Sequence, residues 1–287
     1  MSSALLRSAL YLPANRASAI AKAREADCDG VILDLEDAVA PEHKAQARSA
    51  AFAAVAQGGF GERTLVIRAN AADTPWHGDD MAALATSGVD AVLLPKVGSA
   101  ADLGDARARL PASIALWAML ETCAAFLALP QLAKAAREHR VGAFVIGTND
   151  LALEMRCKPD ANRSPLVPLL SQAVVAARAA SVAVLDGVFN DLSDEAGLAA
   201  EAQQGASLGF DGKTVIHPSQ LPTVNAAFGP SAAAIEAARG ITSAFEAPEN
   251  AGKGVIRHEG RMVELLHLEQ ARRTLAQARA IARRGND

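Results

Sequence analysis

An α/β barrel of eight strand–helix units, a (β/α)₈ or TIM barrel with a C-terminal helical extension, is what this sequence predicts. Three observations predict it. Short apolar runs rich in Val, Ile and Leu recur eight times before residue 220. Between them lie Ala-rich segments whose apolar residues fall three or four apart, the spacing of one helical face. The length, 287 residues, matches one such barrel plus an extension. Strands that alternate with helices pair in parallel, because each crossover returns the chain to the same end of the sheet. An open doubly wound sheet is the competing arrangement. It would want a Gly-rich turn after the first strand, and Tyr11-Leu12-Pro13-Ala14-Asn15-Arg16 contains no G-x-G-x-x-G.

The elements follow in order. Strands are read at 8–14, 30–37, 64–70, 91–97, 114–122, 143–150, 182–189 and 212–218. Helices are read at 16–27, 43–57, 78–88, 100–110, 126–139, 168–180 and 195–209, several ending at a glycine that suits a helix C-cap. The barrel takes residues 1–230 and an extension takes 231–287. Within the extension, 233–250 reads as a helix, 252–263 as a turn-rich connection and 265–284 as a basic-ended helix. That is more chain than one closing helix needs, so the extension is expected to pack on the barrel or on a neighbouring subunit.

Composition narrows the function classes. Hydrophobic residues make up 51% and aromatics 4%, so Ala, Leu and Val must fill the core. Formal charge is −4 with both signs interspersed, which leaves no footprint for nucleic acid. No eighteen-residue apolar run exists, so no membrane span is expected. The N-terminal MSSALLRSALYLP lacks a signal-peptide core. Cys28, Cys123 and Cys157 form no C-x-x-C pair, which suits a reducing compartment, and a cytoplasmic location is expected. Cys123 could be a nucleophile, but no His lies near it in sequence, and a small apolar filler is the favoured reading.

A barrel places chemistry at the C-terminal ends of its strands. Those ends carry Asn15 and Arg16, Glu36 and Asp37, Arg68 and Asn70, Lys96, Glu121, Asn149 and Asp150, Asp186 and Asn190, and His217. Trp117, Met119 and Glu121 share one strand face, as do Asp34 and Glu36, with Asp37 on the other. Each residue has a structural reading: Asp150 as a helix cap, and Glu36 or Asp37 paired with Lys96 or Arg68. Glu121 and Asp150 on adjacent strands are harder to explain that way, because like charges repel unless a cation or proton sits between them. Oxygen ligands without thiolates favour Mg²⁺, which takes one or two carboxylates and keeps other positions open. Arg68 would then pair with a substrate carboxylate through its planar fork. Such a site suits making or breaking a C–C bond beside a carbonyl. A Schiff base on Lys96 is the rival route.

The segments ALYLPANR, GVILDLEDAVAPEHKAQAR, VIRANAADTPW, AVLLPKVGSAADL, LWAMLET, VIGTNDLA and LGFDGKTVIHPSQ, in this order and spacing, resemble the HpcH/HpaI aldolase/citrate lyase β-subunit family, near the malyl-CoA and citramalyl-CoA lyases. The resemblance covers about residues 6 to 280. It implies a (β/α)₈ barrel, a homotrimer or hexamer, Mg²⁺, and cleavage of a 3-hydroxy-acyl-CoA to acetyl-CoA and a 2-oxo acid, or the reverse. It matches Glu121 and Asp150 to metal ligands, Arg68 to the substrate arginine, and Tyr11, Lys22, Ile216 and His217 to the coenzyme A pocket. Asn15, Arg16 and Lys96 join the substrate-binding set, and Glu36 and Asp37 the catalytic one. The chain departs from the family at Ala14, at Ser18, and at Glu264, which stands where relatives carry a lid Asp given to a neighbouring site. The expected partners are therefore small molecules, a 2-oxo acid and an acyl-CoA. Two alternatives stay open: a citrate lyase β subunit working on an acyl-carrier-protein thioester, and a CoA-binding homologue with decayed catalysis.

Overall fold

The computed structural model of the protein describes residues 5–284. It divides into two compact units, one running to Asn225 and one starting at Ala226. In the first, β1 (Ser8–Pro13), β2 (Gly30–Asp34), β3 (Thr64–Arg68), β4 (Ala91–Leu94), β5 (Ala115–Leu120), β6 (Val141–Ile146), β7 (Ala183–Asp186) and β8 (Gly212–Val215) form a closed parallel barrel in sequence order. The closure pairs β8 with β1, Val215 lying opposite Leu10. All eight expected strands are present. Each ends one to four residues earlier than the apolar-to-polar reading suggested, because the polar residues leave the sheet to form the rim.

The helices are α1 (Ala17–Ala23), α2 (Lys44–Gln57), α3 (His77–Leu84), α4 (Ala100–Arg109), α5 (Cys123–Leu127), α6 (Leu129–Glu138), α7 (Thr148–Glu154), α8 (Val167–Ala180), α9 (Glu195–Leu208) and α10 (Leu221–Phe228). Local chemistry sets several ends. Ser99 and Asp102 form a capping box that starts α4. Asp194 caps α9, and Gly209 in the left-handed conformation closes it. The segment expected as one helix over 126–139 is two, parted at Ala128, since Pro130 fits only the first turn of the second.

The barrel interior is filled by Ala9, Ile32, Val66, Ala91, Leu93, Trp117, Met119, Ala143, Val145 and Leu185. Alanines on β1, β4 and β6 make room for the indole of Trp117 and the chain of Met119. Strand alternation then fixes what continues inward above this floor: Asp34 above Ile32, Arg68 above Val66, Glu121 above Met119. Register brings Asp34 directly opposite Arg68 across β2 and β3.

The same alternation sends Asp186 outward, which corrects its expected place at the rim. Its neighbour Leu185 faces the interior, so Asp186 points toward α9. There the fully buried ammonium of Lys213 lies 3.2 Å from Asp186 and 2.6 Å from Glu201, and Arg163 Nη1 lies 2.8 Å from Asp186. Burial pushes the Asp186 carboxyl up, but Lys213 and Arg163 outweigh it and hold the group below its ordinary value. Two acids and two bases are thus matched outside the barrel wall.

The second unit holds α11 (Ala232–Glu246), a hairpin of β9 (Val255–His258) and β10 (Arg261–Glu264), and α12 (Leu265–Arg284). The hairpin replaces the turn-rich connection read at 252–263. Glu259 and Gly260, with φ of 49° and 78°, make the two-residue turn that joins its strands.

Lys213→Met should destabilise the protein by about 3–5 kcal/mol, because it leaves the buried Asp186 and the partly buried Glu201 facing one guanidinium. Urea unfolding measures this; a midpoint equal to wild type would show that the network carries no such load.

Candidate active site

The inward polar residues converge on a cavity of about 310 Å³ lined by Tyr11, Asp34, Asp37, Arg68, Met119, Asn149, Asp150, Asn190, Thr214 and Ile216 among others. Its floor is the buried guanidinium of Arg68. Asp34 grips one edge of it with both oxygens, Nε donating to Oδ1 at 2.7 Å and Nη2 to Oδ2 at 2.6 Å. Nη1 reaches Asp37 Oδ2 at 3.3 Å. The same nitrogen lies 2.8 Å from Glu36 Oε2 but off the N–H direction, so that buried oxygen forms an ion pair without a hydrogen bond. The guanidinium also lies over the Tyr11 ring, 5.2 Å from its centroid.

Asp34 does a second job. Its oxygens accept the backbone N–H groups of Glu36 at 2.8 Å and Ala38 at 3.1 Å, folding the loop after β2 back over Arg68. From beneath, the buried ammonium of Lys44 donates to the carbonyls of Leu35 at 2.8 Å and Glu36 at 2.7 Å. Neither Asp34 nor Lys44 was expected among the site residues. Asp34 was legible from its alternation with Ile32; Lys44 carries no local signal.

Glu36 is therefore held in place and dry. Burial pushes its carboxyl up to about 8; Arg68 opposes this, and the charges of Asp37, Glu121 and Asp34 add to it. Arg68, for its part, is pushed above its ordinary value, the neighbouring acids outweighing its burial.

Glu121 follows β5 and is 1% exposed. Its Oε1 accepts the backbone N–H of Lys96 at 2.7 Å. Burial raises its carboxyl, the Lys96 amide opposes, and the charge of Asp150 raises it further. Asp150 is not in β6 as the sequence suggested, nor is Asn149: both lie in the first turn of α7, and Gly147 is the residue at the cap position. A β-carbon at Gly147 would collide with the Glu121 carboxylate, so the glycine is what lets Glu121 sit against α7. Asp150 Oδ1 lies 3.1 Å from Lys96 Nζ. Lys96 thus pairs with Asp150, rather than with Glu36 or Asp37 as the sequence allowed.

Among the described residues, no group of three or more His, Cys, Asp or Glu side chains is placed to hold a metal ion. A metal here would have to be one content with two carboxylates. Glu121 and Asp150 are hard oxygen donors, the charge of Asp150 adds to what raises the Glu121 carboxyl, and Lys96 touches both, through its backbone N–H and its ammonium. That donor set fits Mg²⁺, which leaves most of its positions to water and substrate.

The other expected residues are placed as follows. Asn15 and Arg16 precede α1, the first half-buried and the second exposed, and Lys22 is exposed in its last turn. Ile216 borders the cavity, whereas His217 turns to a 3₁₀ turn over Pro218–Gln220, its Nδ1 2.8 Å from Ser219 Oγ. Glu264 ends β10 in the second unit with its side chain exposed. Asn149 and Asn190 exchange amide hydrogen bonds of 3.3 and 2.8 Å across the gap between α7 and the loop after β7.

A family model described as HpcH/HpaI aldolase/citrate lyase matches residues 7–218. The chain is 44% identical to a (3S)-malyl-CoA thioesterase of Cereibacter sphaeroides over 96% of its own length and 95% of the relative's. It is 31% identical to an L-malyl-CoA/beta-methylmalyl-CoA lyase of the same organism, over 96% and 95%, and 30% identical to the citrate lyase subunit beta of Leuconostoc mesenteroides subsp. cremoris, over 96% and 94%. Among solved structures, CitE from Mycobacterium tuberculosis in complex with magnesium, acetoacetate and coenzyme A superposes with a TM-score of 0.78 at 31% identity, covering 96% of this chain and 99% of that one.

The raised value of Glu36 has a measurable consequence in the metal-free protein. A carboxyl that holds its proton more tightly when folded stabilises the fold fully below its ordinary value of 4.5 and loses that contribution as pH rises through about 8. Glu36→Gln keeps the neutral form at every pH. Between about pH 5 and pH 9, wild-type stability relative to Glu36→Gln should fall by a few kcal/mol; parallel stability curves would refute the assignment.

Proposed function

The chain belongs to the HpcH/HpaI aldolase/citrate lyase family, and from that premise we propose that it is a Mg²⁺-dependent enzyme that cleaves or forms a C–C bond in a malyl-CoA-type thioester. Acetyl-CoA and a 2-oxo acid such as glyoxylate, pyruvate or oxaloacetate are the fragments. The observation that carries this reading is that Lys96 links Glu121 to Asp150, and that Asp150 lines one cavity with the buried Arg68. Glu121 and Asp150 would hold the ion, which when bound stabilises negative charge on a carbonyl oxygen.

The chain's own residues have separate tasks. Arg68 orients the substrate carboxylate: Asp34 fixes its plane, and the substrate would replace the 3.3 Å contact of Nη1 with the exposed Asp37. Asp37, with its side chain 61% exposed on the cavity wall, is the carboxylate placed to take the hydroxyl proton. Glu36, buried behind Arg68, keeps its proton near neutrality and so leaves Arg68 with charge for the substrate. Tyr11 and Ile216 border the cavity where the acyl group enters. Lys22, with Asn15 and Arg16 at the start of α1, gives the coenzyme phosphates a cationic surface, and Glu264 is the acid/base group that a neighbouring copy would lend, in a homotrimer or hexamer.

A second reading, hydrolysis of the same thioester, is favoured by the 44% identity to a malyl-CoA thioesterase. One assay separates the two. With (3S)-malyl-CoA and Mg²⁺, C–C cleavage yields glyoxylate and acetyl-CoA, whereas hydrolysis yields malate and free coenzyme A.

Asp150→Asn and Glu121→Gln should each lower turnover by about 100-fold or more, the scale of losing a charge stabiliser, and abolish the rise in melting temperature on adding Mg²⁺. Wild-type turnover that survives EDTA, or turnover in either variant equal to wild type with Mg²⁺ present, would sink the metal assignment.

A further inference from the structure

The residue that joins the two acidic side chains is itself a cation, and its two contacts differ in kind. The backbone N–H of Lys96 donates to Glu121 Oε1 at 2.7 Å, and its ammonium lies 3.1 Å from Asp150 Oδ1. The backbone contact is rigid. Glu121 is 1% exposed, and Lys96 has a φ of 53°, a left-handed conformation that costs a residue with a β-carbon roughly 1–2 kcal/mol. The hydrogen bond from the backbone N–H to a buried carboxylate is the compensating contact, and any side chain other than proline at this position would keep it.

The side-chain contact is loose. The Lys96 and Asp150 side chains are 42% and 36% exposed, and an ion pair that open contributes only about 0–1 kcal/mol. The lysine stem also borders a second cavity of about 300 Å³, beside Pro95, Val97, His77 and Arg109, so the ammonium can leave Asp150 without unpacking the core.

We propose that Lys96 is an exchangeable counter-ion: its ammonium neutralises Asp150 in the metal-free protein, and once a divalent cation is bound there the same ammonium holds an anionic oxygen of the substrate. This rests on the metal site of the proposed function. The consequence is an order of binding. Until Asp150 has another cation, Lys96 is engaged, so metal and 2-oxo acid bind synergistically.

Calorimetry with Mg²⁺ and pyruvate as probes tests this on the full chain. Wild type should bind pyruvate at least tenfold more tightly when loaded with Mg²⁺. Lys96→Met should melt as wild type does and bind Mg²⁺ at least as tightly, yet bind pyruvate about tenfold more weakly once loaded. Lys96→Arg should recover part of that loss, and Lys96→Gln serves if the Met variant does not fold. Equal pyruvate affinity in loaded Lys96→Met and wild type would overturn the proposal. So would a folded Lys96→Met that no longer binds Mg²⁺, since the lysine would then build the metal site rather than exchange out of it. Failure of wild type to bind Mg²⁺ is a different result, and it overturns the metal site itself along with the exchange.

Discussion

Carboxylates crowd the mouth of this barrel faster than the chain supplies cations to neutralise them, and the site's chemistry follows from that imbalance. Asp34, Glu36, Asp37, Glu121 and Asp150 gather around the guanidinium of Arg68 and the ammonium of Lys96. Three of the five acids are nearly without solvent, where charge is costly to hold unpaired. The buried ammonium of Lys44 beneath the loop after β2 offsets part of this excess; a proton on Glu36 and, in the proposed site, a divalent cation beside Glu121 and Asp150 would offset the rest.

The barrel contributes by parity. On β2, β3 and β5 the inward series continues past its last apolar residue with a charge: Asp34, Arg68 and Glu121. The outward series behaves differently. Asp186 and Lys213, one position out of phase, are matched with Arg163 and Glu201 and held by the wall. Both networks are buried and ionic. The outer one sets two cations against two acids, although Arg163 Nη2 lacks a hydrogen bond, whereas the inner one leaves Glu36 Oε2 without a hydrogen bond and Asp150 on a pair that solvent can replace.

Most of the fold was legible because apolar β-branched runs and Ala-rich helical spacing are strong periodic signals. Strand ends were not, since polar residues carry no period, and so Asn149 and Asp150 were read as strand when they open α7. The candidate site was half legible. Alternation pointed to Glu121 and could have pointed to Asp34 and away from Asp186, had it been applied to every strand. Lys44 is invisible in sequence: it looks like any helical lysine, and only the path of the loop after β2 brings two carbonyls onto its ammonium. The hairpin of the second unit hid behind Glu259-Gly260, because a non-glycine residue at positive φ gives little warning.

The central claim is that one divalent ion belongs between Glu121 and Asp150. The most direct measurement is the anomalous scattering of Mn²⁺ soaked into crystals of the protein. The account predicts a single strong peak coordinated by both carboxylates. A peak at Asp34 and Asp37 instead, or none near either Glu121 or Asp150, would contradict it.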